Sequence, residues 1–89
     1  MKSEQSEQNK LRPVAEVRLG GIRAAIWKNE NEKGGAWYNA TFERSYRDED
    51  KHRSSQSFGR DDLLALAKVA DLAHTRIFEL QHEDRNSNQ

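Results

Sequence analysis

The chain has 89 residues, 34% of them hydrophobic and 34% charged, with a mean hydropathy of −1.13 and no cysteine. This is enough for one small domain with a thin core, and it excludes a disulfide framework, a thiolate metal site and a membrane span of ~20 apolar residues. Formal net charge is zero, which argues against simple non-specific polyanion binding. Yet residues 1–47 hold nine Lys/Arg against six Asp/Glu, whereas residues 61–89 hold three against six.

In chain order, residues 1–12 read as a disordered tail rich in Ser, Glu, Gln, Asn and Lys, with no apolar signal region in Met1 to Asn9. A cytoplasmic protein is expected on this basis. Pro13 opens a single domain expected over 13–80, and residues 81–89 read as a second disordered tail. Val14 to Leu19 alternates as a strand, and Gly20-Gly21 breaks it. Two β-patterned runs follow, Ile22 to Lys28 and Trp37 to Arg44, joined by the turn-forming residues 29–35 and expected to pair as a hairpin. Ser45 to Asp48 extends the second run. After a charged turn at Asp48 to Lys51, His52 to Phe58 forms a short polar strand anchored by Phe58.

The last element is a helix predicted over Arg60 to Leu80. Gly59 serves as its N-cap, Asp61 and Asp62 suit the positive end of the helix dipole, and Phe58 and Leu63 are spaced as a hydrophobic staple. At 100° per residue, Leu63, Leu66, Ala67, Val69, Ala70, Ala73, Ile77, Phe78 and Leu80 fill an arc of about 180°, wider than the ~100° stripe that covers one sheet. The spare surface points to a homodimer, with Leu66, Val69, Ala70, Ala73 and Ile77 as interface residues. The expected fold is therefore α+β: a curved antiparallel sheet of three to four strands, one long C-terminal helix, and a second copy.

Strand parity selects the candidate site. If Ile22, Ala24 and Ile26 face the core with Tyr38, Ala40 and Phe42, then Arg23 and Trp27 share the opposite face with Trp37, Asn39 and Thr41. Two indoles beside positive charge suit single-stranded nucleic acid, because any base stacks on a ring and any phosphate is neutralised nearby. Arg18, Arg23, Lys28, Lys33 and Arg47 are the phosphate-contact candidates, with Trp27 and Trp37 as stacking platforms. The competing reading is that both faces are covered and the tryptophans are core. Arg44 has the parity of Phe42, so it either joins the site or pairs at the sheet edge or with a partner, and Tyr46 belongs to the core rim. His74 falls within the helix's apolar arc and reads as a packed core residue. No histidine pair has metal-ligand spacing, and no nucleophile elbow, phosphate loop or zinc motif points to catalysis or a cofactor.

The order of elements resembles the positive-cofactor-four family of single-stranded-DNA-binding transcriptional coactivators. The resemblance covers about residues 14–80. It rests on the Ile22-to-Lys28 strand, the Tyr38-to-Asp48 strand and the Ser57-Phe58-Gly59-Arg60-Asp61-Asp62-Leu63 approach to the helix. Ala25-Ile26-Trp27-Lys28-Asn29 and Phe58-Gly59-Arg60-Asp61-Asp62-Leu63-Leu64 also look like segments of small bacterial, plasmid or phage proteins. Where the family has a glycine- and lysine-rich loop, this chain has Asp48-Glu49-Asp50-Lys51-His52-Arg53. The resemblance implies a homodimer that binds single-stranded DNA on its sheet without catalysis, and RNA is an equal candidate on the residues alone. The alternative, favoured by zero net charge and the acidic helix, is a small protein-interaction module or inhibitor that docks on a host protein.

Overall fold

A computed structural model describes residues 12–87, as a four-stranded antiparallel sheet followed by one helix. The strands are β1 (Ala15–Leu19), β2 (Ile22–Glu30), β3 (Ala36–Asp48) and β4 (Lys51–Ser55), and they lie side by side in chain order. A 3-10 turn at Arg60–Asp62 leads into α1 (Leu63–Ser87). Most of the tail expected over residues 1–12 lies outside the described residues, as do residues 88 and 89. Among the described residues, no helix is long and apolar enough to cross a membrane.

The sheet is a meander because each reversal is built from residues that suit it. Gly20 has φ +61°, which a side chain resists, and it turns β1 into β2. Gly21 follows against β3: a Cβ there would sit 3.0 Å from the Ser45 carbonyl oxygen, and the Gly21 carbonyl accepts the Ser45 N–H at 2.8 Å. Between β2 and β3, the Asn31 side-chain oxygen accepts from the backbone N–H groups of Lys33 and Gly35, each at 2.9 Å. That closes the turn over residues 31–35 rather than 29–35, so β2 runs two residues further than Lys28. β3 and β4 join through Glu49 and Asp50, both at positive φ. Such a two-residue reversal matches the twist of paired strands.

The parity expected of the strands is the parity found. Ile22, Ala24 and Ile26 are buried with Val69 and Ala73 of the helix. Ala15, Val17, Tyr38, Ala40, Phe42 and Phe58 pack around them. The helix crosses β1 and β2, so β3 and β4 extend beyond its cover.

Several expectations for the helix are corrected. First, it runs to Ser87, seven residues past Leu80, because Asp84 finds partners on the sheet. Second, Leu66, Val69, Ala73 and Ile77, expected at a dimer interface, turn instead to this chain's own sheet. Val69 and Ala73 are fully buried there, and only Ala70 of the five lies on the outer side. The broad arc divides into a sheet-facing stripe and an exposed one that includes Leu63 and Phe78, and Leu64, outside the arc, is exposed beside them. His74 lies exposed as well, not in the core. Third, Phe58 enters the core while Leu63 stays 48% exposed, so the helix start is held by polar contacts. Asp62 accepts the Gly59 N–H at 2.8 Å and its own N–H donates to the Gly59 carbonyl at 2.9 Å.

Candidate nucleic-acid interface

The face of the sheet away from the helix is the candidate site, and strand register decides what meets on it. Trp27 sits opposite Asn39, and Trp37 opposite Asn29, so the two indoles occupy diagonal positions on neighbouring strands. Trp37, next to the β2–β3 turn, is 48% exposed. Trp27 is half-buried, and its indole N–H donates to the Thr41 hydroxyl at 3.0 Å, which fixes the ring's orientation. The Asn29 amide donates to Asn39 Oδ1 at 2.7 Å between the two rings. Ala25 separates Trp27 from Arg23 along β2 and is itself buried despite facing outward. The platform is therefore two aromatic surfaces with a bonded amide pair between them. A shallow cavity of about 510 Å³ opens beside Trp37, lined also by Glu30, Asn31, Glu32 and Lys33.

The cations are arranged less uniformly than their spacing suggests. Arg23 lies opposite Glu43 on β3, and its guanidinium reaches Glu43 at 3.0 Å and Glu16 at 2.9 Å. These two carboxylates compete with any phosphate for Arg23. Arg18 faces Arg23 across the β1–β2 ladder and is exposed, as is Arg47 at the far end of β3 opposite His52. Lys33 shares the Trp37 cavity. Lys28 is on the wrong side for this face: it has the parity of Ile26, and its ammonium sits 3.2 Å from Asp84 of the helix. The site as placed thus comprises Trp27, Trp37, Lys33, Arg18 and Arg47, with Arg23 engaged and Lys28 removed.

Arg44 resolves to the edge alternative. Its Nε donates to the Ser57 carbonyl at 3.1 Å and lies 3.4 Å from Asp62, while its guanidinium stacks 5.3 Å from the Tyr46 ring centre. It ties β3 to the start of the helix.

Sequence reasoning missed the cluster at the other end of the helix. The Tyr38 hydroxyl donates to Asp84, which also receives Lys28. Burial, and then the hydrogen bond to Asp84, push the phenol up to about 12. The same hydrogen bond, followed by the Lys28 ammonium, holds the Asp84 carboxyl below its ordinary value. The even parity of Lys28 and Tyr38 was the available signal, but their partner lay beyond the expected helix end.

Comparison with known proteins gives no name to this arrangement: no family model, no curated protein and no solved structure matches the chain.

Proposed function

We propose that this protein binds single-stranded nucleic acid, without catalysis, on the open face of its sheet, and that it works as a homodimer. The observation that carries the reading is the diagonal pair Trp27 and Trp37 on a face the helix does not cover. An exposed indole beside a loop cation accepts any base by stacking, and such contacts are worth ~1–3 kcal/mol per base. The resemblance to single-stranded-DNA-binding coactivators agrees with this assignment.

The phosphate contribution in this reading is small. Among the described residues of this site, Arg18, Lys33 and Arg47 are the cations left exposed, so their share of the slope of log K against log salt should be about −2, at ~0.7 per single-strand contact. Stacking carries most of the affinity.

The test is a titration of labelled oligothymidine at two salt concentrations. Binding should quench tryptophan fluorescence and persist at the higher salt. Trp37→Ala should lose on the order of 1–3 kcal/mol of affinity with the melting temperature unchanged, because that ring is half exposed. Trp27→Ala should lose affinity and some stability together, since Trp27 is half-buried and bonded to Thr41. A wild type that fails to bind at low salt overturns the reading. Attention then passes to the second reading, a protein-docking module, which the exposed Leu63, Leu64 and Phe78 of the helix favour.

A further inference from the structure

Sheet edges are where proteins join unintentionally, and natural sequences blunt them with charge, proline, bulges or short strands. The outer edge of β3 has none of these devices. The Ser45 N–H bonds back to Gly21, so odd-numbered residues of β3 turn their backbone groups toward β2. Even-numbered residues turn theirs the other way. β4 covers that side only from Arg44 to Asp48 and ends at Ser55. Among the described residues, no strand pairs with the edge that carries the outward backbone N–H and C=O groups of Ala36, Tyr38, Ala40 and Phe42. The segment Ala36-Trp37-Tyr38-Asn39-Ala40-Thr41-Phe42 holds no charge, no proline and no glycine. Trp37, Tyr38, Thr41 and Phe42 are strong strand formers.

We propose that this edge is the homodimer interface: β3 of a second copy pairs with it antiparallel about a two-fold axis at Asn39, making one continuous eight-stranded sheet. Three observations select this occupant and this register. Only even-numbered residues offer outward groups, so hydrogen-bonded pairs must join even to even. Centring on Asn39 sets Phe42 opposite the partner's Ala36 and Tyr38 opposite the partner's Ala40, a large side chain against a small one in every hydrogen-bonded pair. A slip of two residues one way sets Tyr38 against the partner's Phe42, and the other way draws the partner's Gly34 into the ladder.

The interface extends the proposed site without depending on it. On the open face Trp37 comes opposite the partner's Thr41, so the aromatic surfaces of both copies form one band across the joined sheet. A chain that dimerises this way and binds no nucleic acid would overturn the functional reading alone.

The chain has no cysteine, which makes cross-linking decisive. Asn39 meets its own copy at a non-hydrogen-bonded pair, where Cα atoms lie about 4.5 Å apart, within disulfide range. Asn39→Cys should therefore oxidise to a covalent dimer at least tenfold faster than Ser54→Cys on β4. Sedimentation of the wild type between about 10 and 500 μM should show mass rising from 10.3 kDa toward twice that value, the weak association fitting an interface of one strand pair. Ala40→Pro removes an N–H that points outward and leaves the β2 ladder intact, so it should weaken association tenfold or more with an unchanged circular dichroism spectrum. If that variant unfolds, the cysteine comparison decides alone. A wild type that stays monomeric at 500 μM, equal oxidation of the two cysteine variants, or a dimer dissociated by Leu64→Asp on the helix would each overturn the proposal.

Discussion

Arg23 illustrates what a single residue's spacing can and cannot convey. Alternation along β2 places it on the face of Trp27, and the structure agrees. Alternation does not reveal which acids stand beside it, because Glu16 and Glu43 come from two other strands and meet Arg23 only once the register is known. A consequence follows for binding: Glu43→Gln should release part of the guanidinium to a phosphate, strengthening oligonucleotide binding at low salt and steepening the salt slope by up to ~0.7. An unchanged slope would mean that Glu16 alone holds Arg23. Lys28 was legible and was misread, since it shares the even parity of Ile22, Ala24 and Ile26. Its partner Asp84 also gives the molecule a pH signature. The lowered Asp84 carboxyl stabilises the fold above the ordinary carboxylate value of ~3.9, and that stability disappears as pH falls through the lowered value. The raised Tyr38 phenol acts at the other limit. Its contribution is complete below pH ~10 and is lost as pH rises to about 12. In a Tyr46→Phe background, where Tyr38 is the one remaining tyrosine, tyrosinate absorbance should appear near pH 12 and move lower on Asp84→Ala.

The elements themselves were readable in type and order, and their ends were not. The four strands and the helix follow from alternation, glycine breaks and a run of helix formers. β4 and α1 stop where they do for reasons outside their own composition. Phe58 leaves the strand pattern to enter the core, which ends β4 at Ser55. Gln81 to Ser87 is polar enough to suggest a tail, yet Asp84 bonds Tyr38 and Lys28 on the sheet, and Glu83 reaches back toward Arg76 at 3.9 Å. The C-terminal end of the helix should therefore respond to deletion. Removing Asp84 to Gln89 should lower the melting temperature by a few degrees, because it strips Tyr38 and Lys28 of their partner and a domain this small shifts ~4–8 °C per kcal/mol. Thermal melts of that truncation beside the Asp84→Ala variant check this, since a truncation effect larger than the point substitution measures what the last helical turn adds.

At the scale of the whole molecule, fold class was the most legible property, because parity and helical periodicity each identify a buried face and the two faces must meet. The proposed assembly was not legible. The helix arc looked too wide for one sheet, and this suggested an interface through residues that the chain buries for itself. What stays uncovered depends on how far β4 runs along β3 and where the helix crosses, and neither quantity is written in a local pattern. The core bears on the proposed second copy. Among the described residues its buried side chains are two isoleucines, one valine and two alanines, a small apolar volume for a chain that must order more than 70 residues. The proposed joining of β3 to β3 would add backbone hydrogen bonds and apolar contact without enlarging that volume.

The neighbour-to-neighbour order of the four strands also governs how quickly the chain finds its fold. Every ladder closes between consecutive strands through a short reversal, so the entropy lost in bringing the ends together stays small at each step. Among the described residues, it is the docking of α1, chiefly onto β1 and β2, that joins distant parts of the chain. Folding should then be rapid, with the meander assembled in the transition state and the helix settling afterward. Val69→Ala, at the fully buried centre of that docking surface, should accelerate unfolding while leaving the refolding rate nearly unchanged, whereas Ala24→Gly in β2 should slow refolding. Stopped-flow chevrons for the two variants distinguish a helix that docks late from one around which the sheet must form.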